Sequence, residues 1–389
     1  MKDEKLTPEI RFKGFTDPWE QRKLKNISEI NPMKEIPQNF LYVDLESVQE
    51  EKIKKYQIQN RNNAPSRAQR LAKEGDIFFQ NVRSYQKNNV IFEQSFNTDP
   101  VVFSTGYTQI RTSQDSSFVM TQLQTNNFVN RVLARSTGTS YPAITSKNLG
   151  DMKISLPNLS EQLKVGMFFQ GLSKLIAANE EKVDELKAVK KLLMQRLFDQ
   201  SWRFKGFTDP WEQRKLGELF SERTERSSNG TLLSVTINSG IVKFDSLDRK
   251  NNSSEDKSNY KIVKKNDIAY NSMRMWQGAN GVSNYDGIVS PAYTVITPRK
   301  NVFSDFFGYH FKQVKMLQVF QKNSQGLTSD TWNLKYPSLK GINVKIPSMN
   351  EQKHISRVLK KIDENIAANE EKCEQLKQLK QYLMQNMFV

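Results

Sequence analysis

The hydrophobic positions follow three rhythms along the chain. Short β-branched or aromatic runs, Leu41 to Leu45, Ile77 to Phe79, Val101 to Phe103 and Tyr293 to Ile296, alternate with Asn, Gly, Pro and Ser breaks and predict strands. Helical spacing appears in Ser117 to Ala134, through Phe118, Leu123, Phe128, Val132 and Leu133, and in Ser304 to Gln321, through Phe307, Phe311, Val314, Leu317 and Phe320. Each of these stretches predicts one core-packed helix. The longest pattern occurs twice: residues 161 to 198 and 351 to 388 contain no proline and follow a Pro and a Glu-Gln, so both predict long helices, with only Gly166 and Gly171 as weak points.

Within the long helices the apolar positions alternate spacings of four and three. One seam runs Leu172, Ile176, Asn179, Val183, Leu186, Lys190, Leu193, Leu197; the other runs Ile362, Ile366, Asn369, Cys373, Leu376, Lys380, Leu383, Met387. Leu at most d positions and β-branched residues at several a positions suit a coiled coil. Both seams share their polar interruptions, so the helices are expected to pair with each other, with Asn179 and Asn369 specifying register at some cost in stability. The lone cysteine, Cys373, acts there as a small hydrophobe.

The pairing is part of a duplication. Arg11 to Leu24 (RFKGFTDPWEQRKL) recurs letter for letter at Arg203 to Leu216, and Ile176 to Lys182 (IAANEEK) returns as Ile366 to Lys372. LLMQRLF from Leu192 answers YLMQNMF from Tyr382. Between these matched ends, residues 25 to 153 and 217 to 343 keep a few landmarks, Asp76-Ile77 with Arg83 against Asp267-Ile268 with Arg274, and a Tyr-Thr-x-Ile strand at Tyr107 and at Tyr293. A copied frame with diverged filling is what two related binding modules for different ligands leave behind. The fold expected is α+β: two pseudo-symmetric mixed α/β domains, each followed by a long helix, the helices pairing as an antiparallel coiled coil. A 38-residue helix spans about 57 Å, compatible with half-sites one DNA turn apart, about 34 to 36 Å.

Charge narrows the ligand. The chain carries +16 formally, and both halves are basic, with 29 Lys+Arg against 23 Asp+Glu over residues 1 to 200 and 29 against 19 over 201 to 389. A surplus spread this way favours nucleic acid over a membrane surface. The N-terminal segment is not a secretory signal and no apolar stretch reaches 18 residues, so the chain is expected to be soluble and cytoplasmic, with no membrane partner. One cysteine and two distant histidines, His310 and His354, leave no metal cluster.

The ordered motifs Gly14-Phe15 with Trp19 and Leu24, Gly206-Phe207 with Trp211 and Leu216, Gly287 to Tyr293, the Pro-x-x-x-Glu-Gln helix entries and the LMQ-x-x-F ends together resemble the specificity subunits of Type I restriction systems, over the whole chain. The first insert departs from that pattern, with Val102 to Tyr107 where the second has Gly287 to Tyr293. The resemblance implies a scaffold segment over 1–24, a target-recognition domain over 25–158, a spacer helix over 159–200, a second scaffold segment over 201–216, a second target-recognition domain over 217–348 and a second spacer helix over 349–389. It implies double-stranded DNA as ligand, read as two halves of a gapped site, with two modification subunits and two restriction subunits as partners. S-adenosylmethionine, ATP and Mg belong on those partners, and this chain binds no cofactor.

Catalytic signatures are missing from the sequence. There is no Asp/Asn-Pro-Pro-aromatic motif, no glycine-rich cofactor loop and no GxxxxGK[ST] loop, while Asp76 and Asp267 lack the Glu-x-Lys of a nuclease. No catalytic residue is expected, although an atypical methyltransferase or nuclease and a coiled-coil scaffold without sequence preference are the rival readings. Arg or Lys can bond guanine and Asn or Gln adenine, with Ser and Thr suiting phosphates. The candidate DNA contacts are Gln80, Asn81, Arg83, Ser84, Gln86, Lys87, Arg135, Thr137, Thr139, Ser140 and Tyr141 in the first insert, and Asn271, Arg274, Gln277, Lys322, Ser324, Gln325 and Thr328 in the second. The identical Gly-Phe-x-x-x-Trp copies cannot distinguish two half-sites and are assigned to the scaffold or to the modification subunits.

Overall fold

In the computed structural model, which describes residues 6–94, 99–248, 256–329 and 331–389, the repeated segment folds the same way in both copies. Gly14 and Gly206 sit at φ 96° and 95°, a turn that a Cβ would strain. Beyond it Trp19 and Trp211 are buried, at 1% and 7% exposure. The EQRK that follows is a strand in each copy: Glu20–Lys23 pairs antiparallel with Lys153–Leu156, and Glu212–Lys215 with Asn343–Ile346. Upstream, Arg11 grips Glu161 by two bonds of 2.7 and 2.8 Å, and Arg203 grips Glu351 at 3.0 and 2.6 Å. Both glutamates are fully buried in the first turn of a long helix, so the frame fastens the start of that helix to the sheet edge.

The chain divides into two units, Met1–Glu181 with Glu370–Val389, and Lys182–Asn369. The first contains an antiparallel sheet ordered Ser28–Ile30, Tyr107–Thr112, Ile77–Gln80, Val90–Ile91. The second repeats it with Phe220–Glu222, Tyr293–Pro298, Ile268–Asn271, Asn280–Val282. The sequence landmarks meet in this shared sheet, where Ile77 lies opposite Ile110 and Ile268 opposite Ile296. Divergence is concentrated beside it. The first unit adds a four-stranded sheet (Gln57–Asn60, Asn39–Val43, Val101–Ser104, Ala68–Leu71), the second two separate ribbons, Leu233–Thr236 with Gly240–Lys243 and Lys261–Val263 with Gly287–Val289.

One expectation about helices is corrected in both inserts. The stretch 117–134 is two helices, Ser116–Leu123 and Asn126–Leu133, and 304–321 is likewise Ser304–His310 and Val314–Asn323. At the first break the Thr125 hydroxyl donates to the Gln122 carbonyl and accepts from the Phe128 N–H, ending one helix and capping the next. Periodicity did not reveal it because Phe118, Leu123, Phe128 and Val132 are all buried on either side of the turn.

The long helices are Leu159–Phe198 and Met349–Asn386. Each unit holds the first half of one and the second half of the other, packed antiparallel. In the first, Val165 and Phe169 share a core with Met384 and Met387, and Glu180 pairs with Lys377 at 2.7 Å. In the second, Leu197 shares a core with Ile355 and Leu359, and Lys190 pairs with Asp363 at 2.5 Å. Of the seam positions, Leu172, Ile176, Asn179, Val183, Leu197, Ile366, Cys373 and Met387 are buried, and Leu186, Leu193, Ile362, Asn369, Leu376 and Leu383 half-buried. The asparagines behave differently from the register-setting role expected: each amide donates to a carbonyl four residues back on its own helix, Asn179 to Leu175 and Asn369 to Asn365, both at 2.7 Å. Lys380, the other polar interruption, meets Glu51 at 2.8 Å.

The two histidines are packing residues. His354 lies edge-on to Phe204 at 4.5 Å. His310 is buried against Phe198 and Phe306, and its two ring nitrogens have no hydrogen-bond partner among the described residues. Burial holds its pKa down to about 4 from the ordinary 6.5. The unfolded chain takes up this proton below about pH 6.5 and the folded chain resists until about 4, so stability should fall across that interval by up to about 3 kcal/mol. Urea unfolding at pH 7 and pH 4.5 checks this: the acid loss should shrink in His310→Leu, and an equal loss in both proteins would rule it out. Among the described residues no helix is long and apolar enough to cross a membrane, and no cluster of His, Cys, Asp and Glu could hold a metal ion.

Candidate nucleic-acid interface

Each insert carries two polar loops that are far apart in sequence, and in each unit the fold joins them at the same point. In the first unit the loop after strand Ile77–Gln80 meets the loop after helix Asn126–Leu133. Ile144 N–H donates to the Asn81 carbonyl at 3.1 Å, and Arg83 N–H to the Pro142 carbonyl at 2.8 Å. In the second unit the loop after Ile268–Asn271 meets the loop after Val314–Asn323, with Leu334 N–H donating to the Ser272 carbonyl at 2.9 Å. Each of the later loops is a hairpin closed by its own backbone bonds, Thr137 with Ala143 and Gln325 with Asn333.

The side chains divide into supports and outward groups. Gln80, Asn81 and Ser84, read from sequence as contacts, are buried at 3%, 8% and 1% exposure. Gln80 bonds Gln86, and Asn81 accepts from Thr108 at 2.6 Å, so these residues hold the loop in shape and do not face outward. Outward stand Gln86, Arg135, Thr137, Thr139, Ser140 and Tyr141, the last 62% exposed. Arg83 adopts φ 53°, a left-handed conformation unusual for a side-chain-bearing residue, and its guanidinium lies 4.2 Å over the Tyr141 ring. Such stacking orients the planar donor fork before any ligand arrives. Lys87 is half-buried, and its ammonium donates to Asn126 Oδ1 at 2.7 Å.

In the second unit Arg274, Lys322, Gln325 and Thr328 are exposed, and Asn271, Gln277 and Ser324 half-buried. Arg274 bonds Gln277 at 3.2 Å, Asn271 turns back to the Met273 N–H, and Ser324 donates to the Phe320 carbonyl at the helix end. Trp276 and Trp332 pack edge to face at 5.2 Å where the loops join. Sequence reading passed over Tyr85, Met273 and Leu327, which project from the same loops at 49%, 43% and 101% exposure. The signal available was an apolar side chain inside a polar loop, a type suited to a thymine methyl or a base face.

Charge separates frame from surface. Arg11, Arg111, Arg203 and Arg223 are neutralised by Glu161, Asp76, Glu351 and Asp267, carboxylates exposed by 2% or less. Asp76 and Asp267 are thereby structural anchors. Among the described residues Arg83, Arg135, Arg274 and Lys322 pair with no carboxylate, so each unit presents uncompensated cations at the loop junction. That arrangement suits a polyanion.

A family model described as the Type I restriction modification DNA specificity domain matches residues 16–188 and again 208–378. The Type I restriction enzyme MjaVIII specificity subunit of Methanocaldococcus jannaschii is 23% identical over 278 residues, covering 64% of this chain and 64% of that protein; the match thus spans under two thirds of that relative. Among solved structures, the S subunit of a Type-I restriction-modification system from M. genitalium aligns over 98% of this chain and 99% of its own, at 14% identity and TM-score 0.62. A chain from a structure concerned with complex assembly and conformational transition of the type I R-M system aligns over 94% and 96%, at 20% identity and TM-score 0.55. These last two likenesses establish a shared fold.

Proposed function

The chain belongs to the Type I restriction modification DNA specificity domain family, and from that premise we propose that it is the DNA-reading subunit of a Type I restriction–modification complex. Its two domains read the two halves of a gapped site, and the long helices set the gap. Methylation of adenine and restriction are carried out by partners, two modification and two restriction subunits, which hold S-adenosylmethionine, ATP and Mg; this chain contributes no catalytic group and works in the cytoplasm.

The observation that carries this reading is the junction of two diverged loops at one equivalent place in each unit, with unpaired cations, on a frame that is identical in sequence. Frame residues cannot tell two half-sites apart, whereas the loops differ. Within the loops, Arg83 on its Tyr141 shelf and Arg274 are the groups suited to bidentate base contact, each worth about 1–3 kcal/mol of discrimination. The deciding experiment is adenine-methylation mapping in cells carrying this chain with its modification subunit, against cells lacking only this chain. A new gapped, two-part motif is expected. Arg274→Ala should relax or weaken recognition in one half of the motif and leave the other half intact. Methylation that is independent of this chain would sink the reading, and methyl transfer by the purified chain alone would favour an enzyme instead.

A further inference from the structure

The later loop of each unit is built alike and tipped differently. In the first unit Thr137 and Ala143 exchange backbone bonds of 2.9 Å, and in the second Gln325 and Asn333 do so at 3.0 and 2.8 Å. Each hairpin then runs into a buried residue, Ile144 or Leu334, whose N–H reaches the earlier loop. The residue after the first bridge position is glycine in both, Gly138 at φ 91° and Gly326 at φ 144°. A Cβ on Gly326 would stand 2.5 Å from the Thr331 carbonyl oxygen, so a larger residue would force the hairpin open. The glycines therefore put the residue that follows, Thr139 or Leu327, at the same place in the two hairpins.

The fold makes no use of the Leu327 side chain. It is 101% exposed, and its neighbours Gly326, Thr328 and Ser329 offer it no apolar surface. The backbone beneath it is nevertheless tied down. Thr328 N–H donates to the Thr331 hydroxyl at 3.1 Å, and the N–H groups of Thr331 and Trp332 donate to the Thr328 carbonyl at 2.9 and 3.1 Å. Trp332 in turn packs on Trp276 of the earlier loop. Asp330, the one acid of this hairpin, lies outside the described residues. Burying a leucine is among the larger gains open to a side chain, and here that gain is left for a ligand.

The surroundings indicate which ligand. Arg274 and Lys322, on the same two loops, are exposed, and among the described residues neither pairs with a carboxylate. The apolar group that a base edge offers to a side chain in duplex DNA is the thymine 5-methyl, in the major groove. Wedging Leu327 between bases would also bury it. Unstacking a base step, however, costs at least as much as one leucine returns, and the tip has no second apolar side chain to cover the opened bases.

We propose that Leu327 is a specificity-determining residue that reads a thymine 5-methyl group in the half-site met by the second unit, where the first unit presents the hydroxyl-bearing Thr139. The inference rests on the DNA-reading function proposed above and names one chemical feature of its ligand.

The test uses the full chain assembled with its modification subunit, and duplexes bearing the mapped gapped motif in which each thymine is replaced in turn by deoxyuridine. The exchange removes the methyl group and keeps the hydrogen-bonding edge. For the wild type, one such replacement, in the half-site that Arg274→Ala alters, should weaken binding about three- to fivefold in an equilibrium competition assay. Leu327→Ala should bind the all-thymine duplex more weakly by a similar factor and the deoxyuridine duplex no worse than that. Its unfolding midpoint should be unchanged, because the side chain is fully exposed. Leu327→Met keeps an apolar tip and should keep most of the sensitivity to the methyl group. If that half-site requires no thymine, or if the deoxyuridine penalty is equal in wild type and Leu327→Ala, the inference is overturned, while the half-site change in Arg274→Ala still upholds the DNA-reading function. A loss in Leu327→Ala that is the same on every duplex, as a wedge between bases would give, also overturns it. A methylated motif that does not depend on this chain removes both.

Discussion

Trp19→Ala should cost about 3–5 kcal/mol, the range for truncating a fully buried aromatic side chain, and so remove a large fraction of an ordinary domain's 5–15 kcal/mol stability. The indole is 1% exposed and lies 5.5 Å from Phe118 and 6.0 Å from Phe388. Phe388 lies just beyond the second long helix, which ends at Asn386, and also packs on Phe118 and Phe169, so this aromatic cluster ties the insert to the first long helix and to the residues that follow the second. The second unit repeats the knot with Trp211, Phe198 and Phe306, and Trp211→Ala should behave alike. Because the Trp19 indole N–H has no acceptor among the described residues, Trp19→Phe retains most of the contacts and should lose much less. Urea unfolding of the three variants measures this. Unchanged stability accompanied by altered sequence preference would move the tryptophans from the frame to the DNA surface.

Adding one heptad to both long helices should widen the gap between the methylated half-sites and leave both half-sites unchanged. Seven residues lengthen a helix by about 10.5 Å, roughly three base pairs at about 3.4 Å each. Seven is the appropriate insertion because it preserves the alternation of four and three along Leu172, Ile176, Val183 and Leu197 and along Ile366, Cys373 and Met387, whereas two or five residues would turn those buried positions to solvent. Methylation mapping of the lengthened chain reads the result. A methylated motif with the original gap, from a protein that still folds and assembles, would remove the helices from any role in spacing.

These two expectations rest on features with different visibility. The tryptophan frame and the helix seams could be read directly, because an identical fourteen-residue repeat and a sustained apolar spacing are properties of consecutive residues. So could the strands at Ile77 and Tyr107, whose β-branched and aromatic runs stand between turn residues. The split of 117–134 into two helices could not, since it depends on the Thr125 hydroxyl choosing Gln122 and Phe128 as partners while the apolar spacing continues unbroken. Nor could the burial of Gln80, Asn81 and Ser84, whose composition suits a DNA contact but whose surroundings are supplied by Asn89 and by Thr108 of another strand.

The arginines show the same boundary most plainly. Asp76 and Asp267 occupy matching places in the repeat, yet Asp76 is held by Arg111 from a central strand and Asp267 by Arg223, the residue that follows an edge strand. Only the folded chain reveals which guanidinium is neutralised and which, like Arg83 and Arg274, remains available. The sequence by itself determined the duplication, the long helices, the basic surplus and the family resemblance, because each is a pattern along the chain. Tertiary structure alone decided which polar residues support and which face outward, and where two loops join, because burial and pairing are set by neighbours that the chain brings together only on folding.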